Sequence, residues 1–220
     1  MNFLFSSLGK KIQIAFSGIV LCFFLLMHLI NNLALFAGPD IFNTMVTTLE
    51  SIKPIIRILE FSLLFIFLLH VVNVIQLTLY NRNVASEKYS GTNINSTSSI
   101  NSRTMAISGT IILLFIIIHL RYLWYTYQAH LLFDNENFYD VILRSQFGYL
   151  GHTPTSIFYI ISILFIAFHL KHGFQSALKT FGVVEKSKLG LLYKLAILFW
   201  GIIPALFIII ILSIQFGYIK

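Results

Sequence analysis

The sequence predicts an all-α integral membrane protein with five transmembrane helices in a single domain, residues 1–220. Three observations predict it. Only 10% of the residues are charged, against roughly 25% in an ordinary soluble domain, and the mean hydropathy is +0.85. Apolar stretches of about 20 residues recur, the length a helix needs to cross roughly 30 Å of hydrocarbon. Lysines and arginines gather at the ends of these stretches, so the net charge of +7 speaks for topology and not for nucleic acid.

In chain order the spans are read at about 11–36, 54–80, 103–128, 154–178 and 189–216. The first is far longer than a signal-peptide apolar region and lacks a small-residue cleavage site. Gly38-Pro39 ends it. Pro54 and Pro154 suit the first turn of their helices, where a missing N–H costs nothing. The stretch 83–102, rich in Ser, Asn and Thr, reads as a surface loop, and Pro204 as a kink in the last helix. Cys22 is the single cysteine; it has no disulfide partner in the chain, and no C-x-x-C-H for covalent haem attachment is present.

Charge sets the expected orientation. One side carries Lys10, Lys11, Arg82, Lys88, Arg103, Lys171, Lys179, Lys186, Lys188 and Lys194, with Glu87 and Glu185 as its acids. The other carries Asp40, Glu50, Asp134, Glu136 and Asp140 against Lys53, Arg57, Arg144 and Lys220. The N-terminus is therefore expected in the cytoplasm and the C-terminus outside. The external loops 39–53 and 129–153 each have room for a short surface helix.

Four histidines, His28, His70, His119 and His169, lie deep in four different spans. A titratable ring at membrane depth is costly unless it has partners or a task. Each stands at a similar distance into its helix, past the middle of the span. The first and third helices run outward and the second and fourth inward, so His28 and His119 form an outer pair and His70 and His169 an inner one. In a core of about 30 Å the pairs are separated by roughly 12 Å. Two levels with two histidines each suit two bis-histidine haems stacked across the membrane. Neutral imidazole is a good axial ligand, and filling both axial positions favours electron transfer over oxygen chemistry.

Ser17-Gly18 precedes His28, and Ser108-Gly109 precedes His119, at the same offset. Gly18 and Gly109 would let a flat macrocycle approach the backbone; small residues packing helix on helix are the competing explanation.

The run Ser17-Gly18 through His28-Leu29-Ile30-Asn31-Asn32-Leu33, the pair Phe42-Asn43, and His169-Leu170-Lys171-His172-Gly173 followed by Phe181-Gly182 resemble the single-chain, two-haem cytochrome b anchor of succinate:quinone oxidoreductases. The likeness covers nearly the whole chain. It implies that His28 and His119 ligate a distal haem b and His70 and His169 a proximal one. It also implies flavoprotein and iron–sulfur subunits on the cytoplasmic face of a bacterial inner membrane, with a quinone, menaquinone by expectation, as exchangeable substrate. The dicarboxylate chemistry of such a succinate dehydrogenase would not lie in this chain. Some fumarate-reducing members carry a glutamate two residues before the fourth ligand; Ala167 stands there, which tilts the expectation toward succinate oxidation.

Ser17, Arg121 and Lys179 are candidate contacts for haem propionates. Snorkelling is the plainer role for Arg121 and Lys179, as it is for Lys171. His172 is placed at the membrane edge, and His130 and His152 are read as solvated loop residues. Glu60 could serve quinone proton exchange or pair with Arg57 or Arg121. The rivals are a hydrogenase or formate dehydrogenase cytochrome b, a fumarate reductase anchor, a histidine-rich di-iron desaturase, and a transporter or scaffold without cofactor.

Overall fold

Ser6 opens the first long helix: its side chain accepts the Gly9 amide at 3.0 Å, and α1 runs Ser7–Leu33 from there. The computed structural model describes residues 3–88, 100–134, 136–183 and 190–220, and among these there is no strand. A 3-10 turn, Ala34–Ala37, leads through Gly38 to α2 (Pro39–Ser51), and α3 spans Lys53–Lys88. Helix α4 (Ile100–His119) opens into a π-helical turn, Leu120–Trp124, and closes as α5 (Tyr125–Gln128). The short α6 (Phe138–Leu143) starts on a reciprocal cap between Asn137 and Asp140. Then come α7 (Thr153–Thr180), α8 (Leu191–Ile197), a second π-helical turn, Leu198–Ile202, and α9 (Ile203–Gln215).

Among the described residues five spans are long and apolar enough to cross a membrane: Ser7–Ala37, Lys53–Asn81, Thr104–Gln128, Thr153–Thr180 and Leu191–Gln215. The protein is a multi-pass, all-α membrane protein. Several helix ends differ from the sequence reading. Helix α1 starts four residues before Lys11, because Ser6 caps it and lysines are good helix formers. Residues 83–88 and 100–102, expected in a loop, are helical continuations of α3 and α4. Outside hydrocarbon a helix needs no apolar residues, so polarity misplaced its end. The rest of that loop, 89–99, and Glu185, Lys186, Lys188 and Leu189 lie outside the described residues. Pro204 sits in the first turn of α9, just after the π-helical turn. The backbone irregularity therefore precedes the proline, where a wide turn can absorb its missing N–H.

Side-chain pairs give the register. Asn73 Nδ2 donates to Gln13 Oε1 at 3.0 Å while Ser17 meets His70, so α1 and α3 are antiparallel. Phe115 packs on Tyr159 and Ser108 meets His169, so α4 and α7 are antiparallel too. Phe23 against Phe199 and His28 against Phe207 make α1 and the last span parallel. Helix α7 holds the centre, packed on α1, α4 and α9, whereas α3 leans on α1 and α2.

A cap of α2, α6 and the following loop covers the end of the bundle away from the N-terminus, called outer after the orientation that the charges lead one to expect. Asn43 Oδ1 accepts the Tyr139 amide at 3.1 Å, tying α6 to α2. Arg144 is locked between Glu136, the Tyr149 hydroxyl and the Leu131 carbonyl, with its guanidinium 4.3 Å from the Phe133 ring centroid. The Arg144 hydrogen bond holds the Glu136 carboxyl below the usual carboxylate range, and Glu136 raises Arg144 in turn.

Candidate functional site: two histidine pairs in one cavity

All four span histidines line a single cavity of about 1640 Å³ between α1, α3, α4 and α7. Its walls are mainly Ile, Leu, Phe and Val. At the outer level the rings of His28 and His119 stand 5.6 Å apart, edge to face at 86°. Phe24 stacks on His28 at 5.5 Å, and Phe115 lies 5.6 Å from His119. Asn32, one turn on, donates to the His28 carbonyl at 2.7 Å and stands 3.5 Å from His28 Nε2. His119 Nδ1 is buried and, among the described residues, has no hydrogen-bond partner.

The inner level is built differently. Ser17, fully buried on α1, donates to the Gln13 carbonyl at 2.7 Å and meets His70 Nδ1 at 2.9 Å. A serine hydrogen directed at the backbone leaves Ser17 Oγ as an acceptor for Nδ1. Ser108 repeats this on α4: it donates to the Met105 carbonyl at 3.1 Å and meets His169 Nδ1 at 3.2 Å. A neutral imidazole protonated at Nδ1 carries its lone pair on Nε2. His169 lies within electrostatic reach of both His70 and His172.

Ser17 precedes His28 by eleven residues, and Ser108 precedes His119 by eleven. At 1.5 Å per residue the two histidine levels are therefore roughly 16 Å apart, somewhat more than the depth estimate from the spans. Each Ser-Gly pair thus serves the histidine of the neighbouring helix. A Cβ on Gly18 would stand 3.5 Å from His70 Cε1, and one on Gly109 3.8 Å from His169 Cε1, both ordinary contacts. The imidazoles alone do not demand glycine there.

The remaining candidates spread along the cavity. Lys179 is at its inner end and exposed. Arg121 is at the outer end, exposed, its guanidinium 5.5 and 5.1 Å from the Tyr122 and Tyr125 ring centroids. Glu60 pairs with Arg57 at 2.7 Å and accepts from Trp124 Nε1 and Gln128 Nε2, each at 3.1 Å. Arg57 also donates to Gln128 Oε1. This polar bridge from α3 to the α4–α5 helix lines the outer cavity.

His172 is half-buried and does not line the cavity. The loop histidines are not simply solvated. His152 caps α7 through Thr155, and His130 stands 3.2 Å from Glu50 and 3.4 Å from Lys53. Lys171 lies over Trp200 at 5.1 Å.

Sequence reasoning missed the π-helical turn that begins at the residue after His119, and no composition signal marks it. Such turns occur often at functional sites. Among the described residues no three His, Cys, Asp or Glu side chains converge as a metal-binding group. The histidines meet in pairs. No family model, curated protein or solved structure matches the chain.

Proposed function

We propose that this chain is the di-haem cytochrome b membrane anchor of a succinate:quinone oxidoreductase. The observation that carries the reading is the pairing of four span histidines at two depths in one apolar cavity. A bare ion asks the protein for three or four ligands, which argues against a di-iron desaturase. A tetrapyrrole brings its own in-plane nitrogens and asks only for axial ones. The cavity also exceeds the roughly 300–1,000 Å³ typical of a single-ligand pocket.

In this reading His28 and His119 hold the outer haem b, and His70 and His169 the inner one. The haems would supply one-electron carriers at two depths. The orphaned His119 Nδ1 and the Nε2 lone pairs of His70 and His169 are what such ligation uses or leaves open. Lys179 and Arg121 set cations at the two cavity ends, where carboxylate substituents of a bound group would be neutralised. The basic face, with Lys10 and Lys11, is the docking side for flavoprotein and iron–sulfur subunits in the cytoplasm of a bacterium, and a membrane quinone is the substrate at the outer end. Succinate oxidation is the proposed direction.

Pyridine-haemochrome analysis of the purified chain tests the assignment. Two haem b per chain are expected, falling to one when His28 and His119 are both replaced by Ala, and likewise for His70 with His169. No haem b, or a single haem that survives loss of the outer pair, ends the proposal. Flavin in the co-purifying subunits supports this family, whereas nickel or molybdenum points to a hydrogenase or formate dehydrogenase.

A further inference from the structure

Each inner histidine has a serine from the helix beside it, and the two arrangements match. Ser17 on α1 meets His70 on α3; Ser108 on α4 meets His169 on α7. In both, the serine hydroxyl donates to a carbonyl of its own helix, three or four residues back. That leaves its oxygen free only to accept. Both serines are buried, at 0% and 3% exposure, so water does not compete. Among the described residues the outer pair has nothing comparable, since His119 Nδ1 is unpartnered there and His28 meets an amide of its own helix.

We propose that Ser17 and Ser108 are positioning residues that fix His70 and His169 in the Nδ1–H tautomer and hold Nε2 as the lone-pair nitrogen. The acceptor for His70 Nδ1 is Ser17, at 2.9 Å, and that for His169 Nδ1 is Ser108, at 3.2 Å. The tautomer assignment stands on hydrogen bonds alone; its consequence at iron rests on the proposed di-haem function. A hydrogen bond from Nδ1–H makes the imidazole a stronger donor and favours ferric iron, so its loss raises the potential of that haem.

The test uses the full chain as wild type, Ser17→Ala, Ser108→Ala and Ser108→Thr, in redox titrations with low-temperature electron paramagnetic resonance. Ser108→Ala is expected to move one haem upward in potential and shift its low-spin signal, leaving the other haem unchanged. Ser108→Thr restores both readouts, and Ser17→Ala shifts the same haem in the same direction. Two haems with unaltered potentials and signals in Ser108→Ala would overturn the inference. Should the wild type carry no haem, the di-haem reading fails separately. Nitrogen-15 spectra of histidine-labelled chain then decide: an Nδ1–H tautomer at His169 that is lost in Ser108→Ala sustains the positioning role, and an unchanged tautomer refutes it.

Discussion

His119 faces His28 across 5.6 Å with its Nδ1 buried and, among the described residues, unpartnered. A buried polar atom without a hydrogen bond costs about 1–3 kcal/mol, so this site carries a stability burden that a ligand role would justify. Replacing His119 by Leu, close in volume, should raise the melting temperature of haem-free chain while removing one of the two haems. Melting of haem-free chain and haem content of loaded chain, measured side by side, separate stability from function. A variant that is less stable and equally loaded with haem would contradict this.

Glu60 gathers three donors from two helices: Arg57, Trp124 and Gln128. Glu60→Ala leaves these groups without their acceptor in a half-buried site, and a loss of about 1–3 kcal/mol is expected. Trp124 should report it as a shift in tryptophan emission, for which Trp200 is the constant background. Unchanged emission and melting would show that the bridge contributes nothing.

The outer loop should be acid-sensitive. Arg144 lowers the Glu136 carboxyl, so the stabilisation is present above the ordinary carboxylate range and is lost as pH falls through the lowered value. Resistance of the loop to proteolysis should hold from pH 7 to pH 5 and decline as the pH drops below about 4.3. Their side chains are 10% and 7% exposed, and hydrogen bonds to charged groups contribute about 1.5–3 kcal/mol. Glu136→Gln should therefore make the loop labile at every pH and flatten the profile.

Gly148 and Gly151 bracket the turn that returns the chain to α7. Gly148 has φ +98°, and a Cβ on it would fall 2.1 Å from the Tyr122 ring; one on Gly151 would fall 2.0 Å from the Leu143 carbonyl oxygen. The second obstacle is backbone and cannot swing away. Gly151→Ala should cost more than Gly18→Ala, with overpacking of about 1–3 kcal/mol or above. Comparative thermal melts of the two variants check the order.

Hydrocarbon thickness enforces helix length, and that is why five spans were legible from composition. Antiparallel succession turns position along a span into depth, which put His28 level with His119 before any coordinates. Depth says nothing about azimuth, however. Ser17 reads as a candidate propionate contact from its place in α1, and its ring partner His70 is 53 residues away on another helix. Offsets within α1 cannot reveal which neighbour a side chain faces. The polar ends of α1, α3 and α4 escaped for a related reason, because a helix beyond the membrane carries no apolar signature.

The π-helical turn after His119 holds one residue more than an α-helical turn would. Each residue advances an α-helix by roughly 100°, so the segment beyond the turn is phased independently of the segment before it. His119 can thus look into the cavity while Thr126 and Gln128 meet Tyr149 and Glu60. One helix serves two clients whose demands on its rotation differ. Deleting a single residue within 120–124 would force those demands onto one phase, and either the histidine or the bridge would lose its partner.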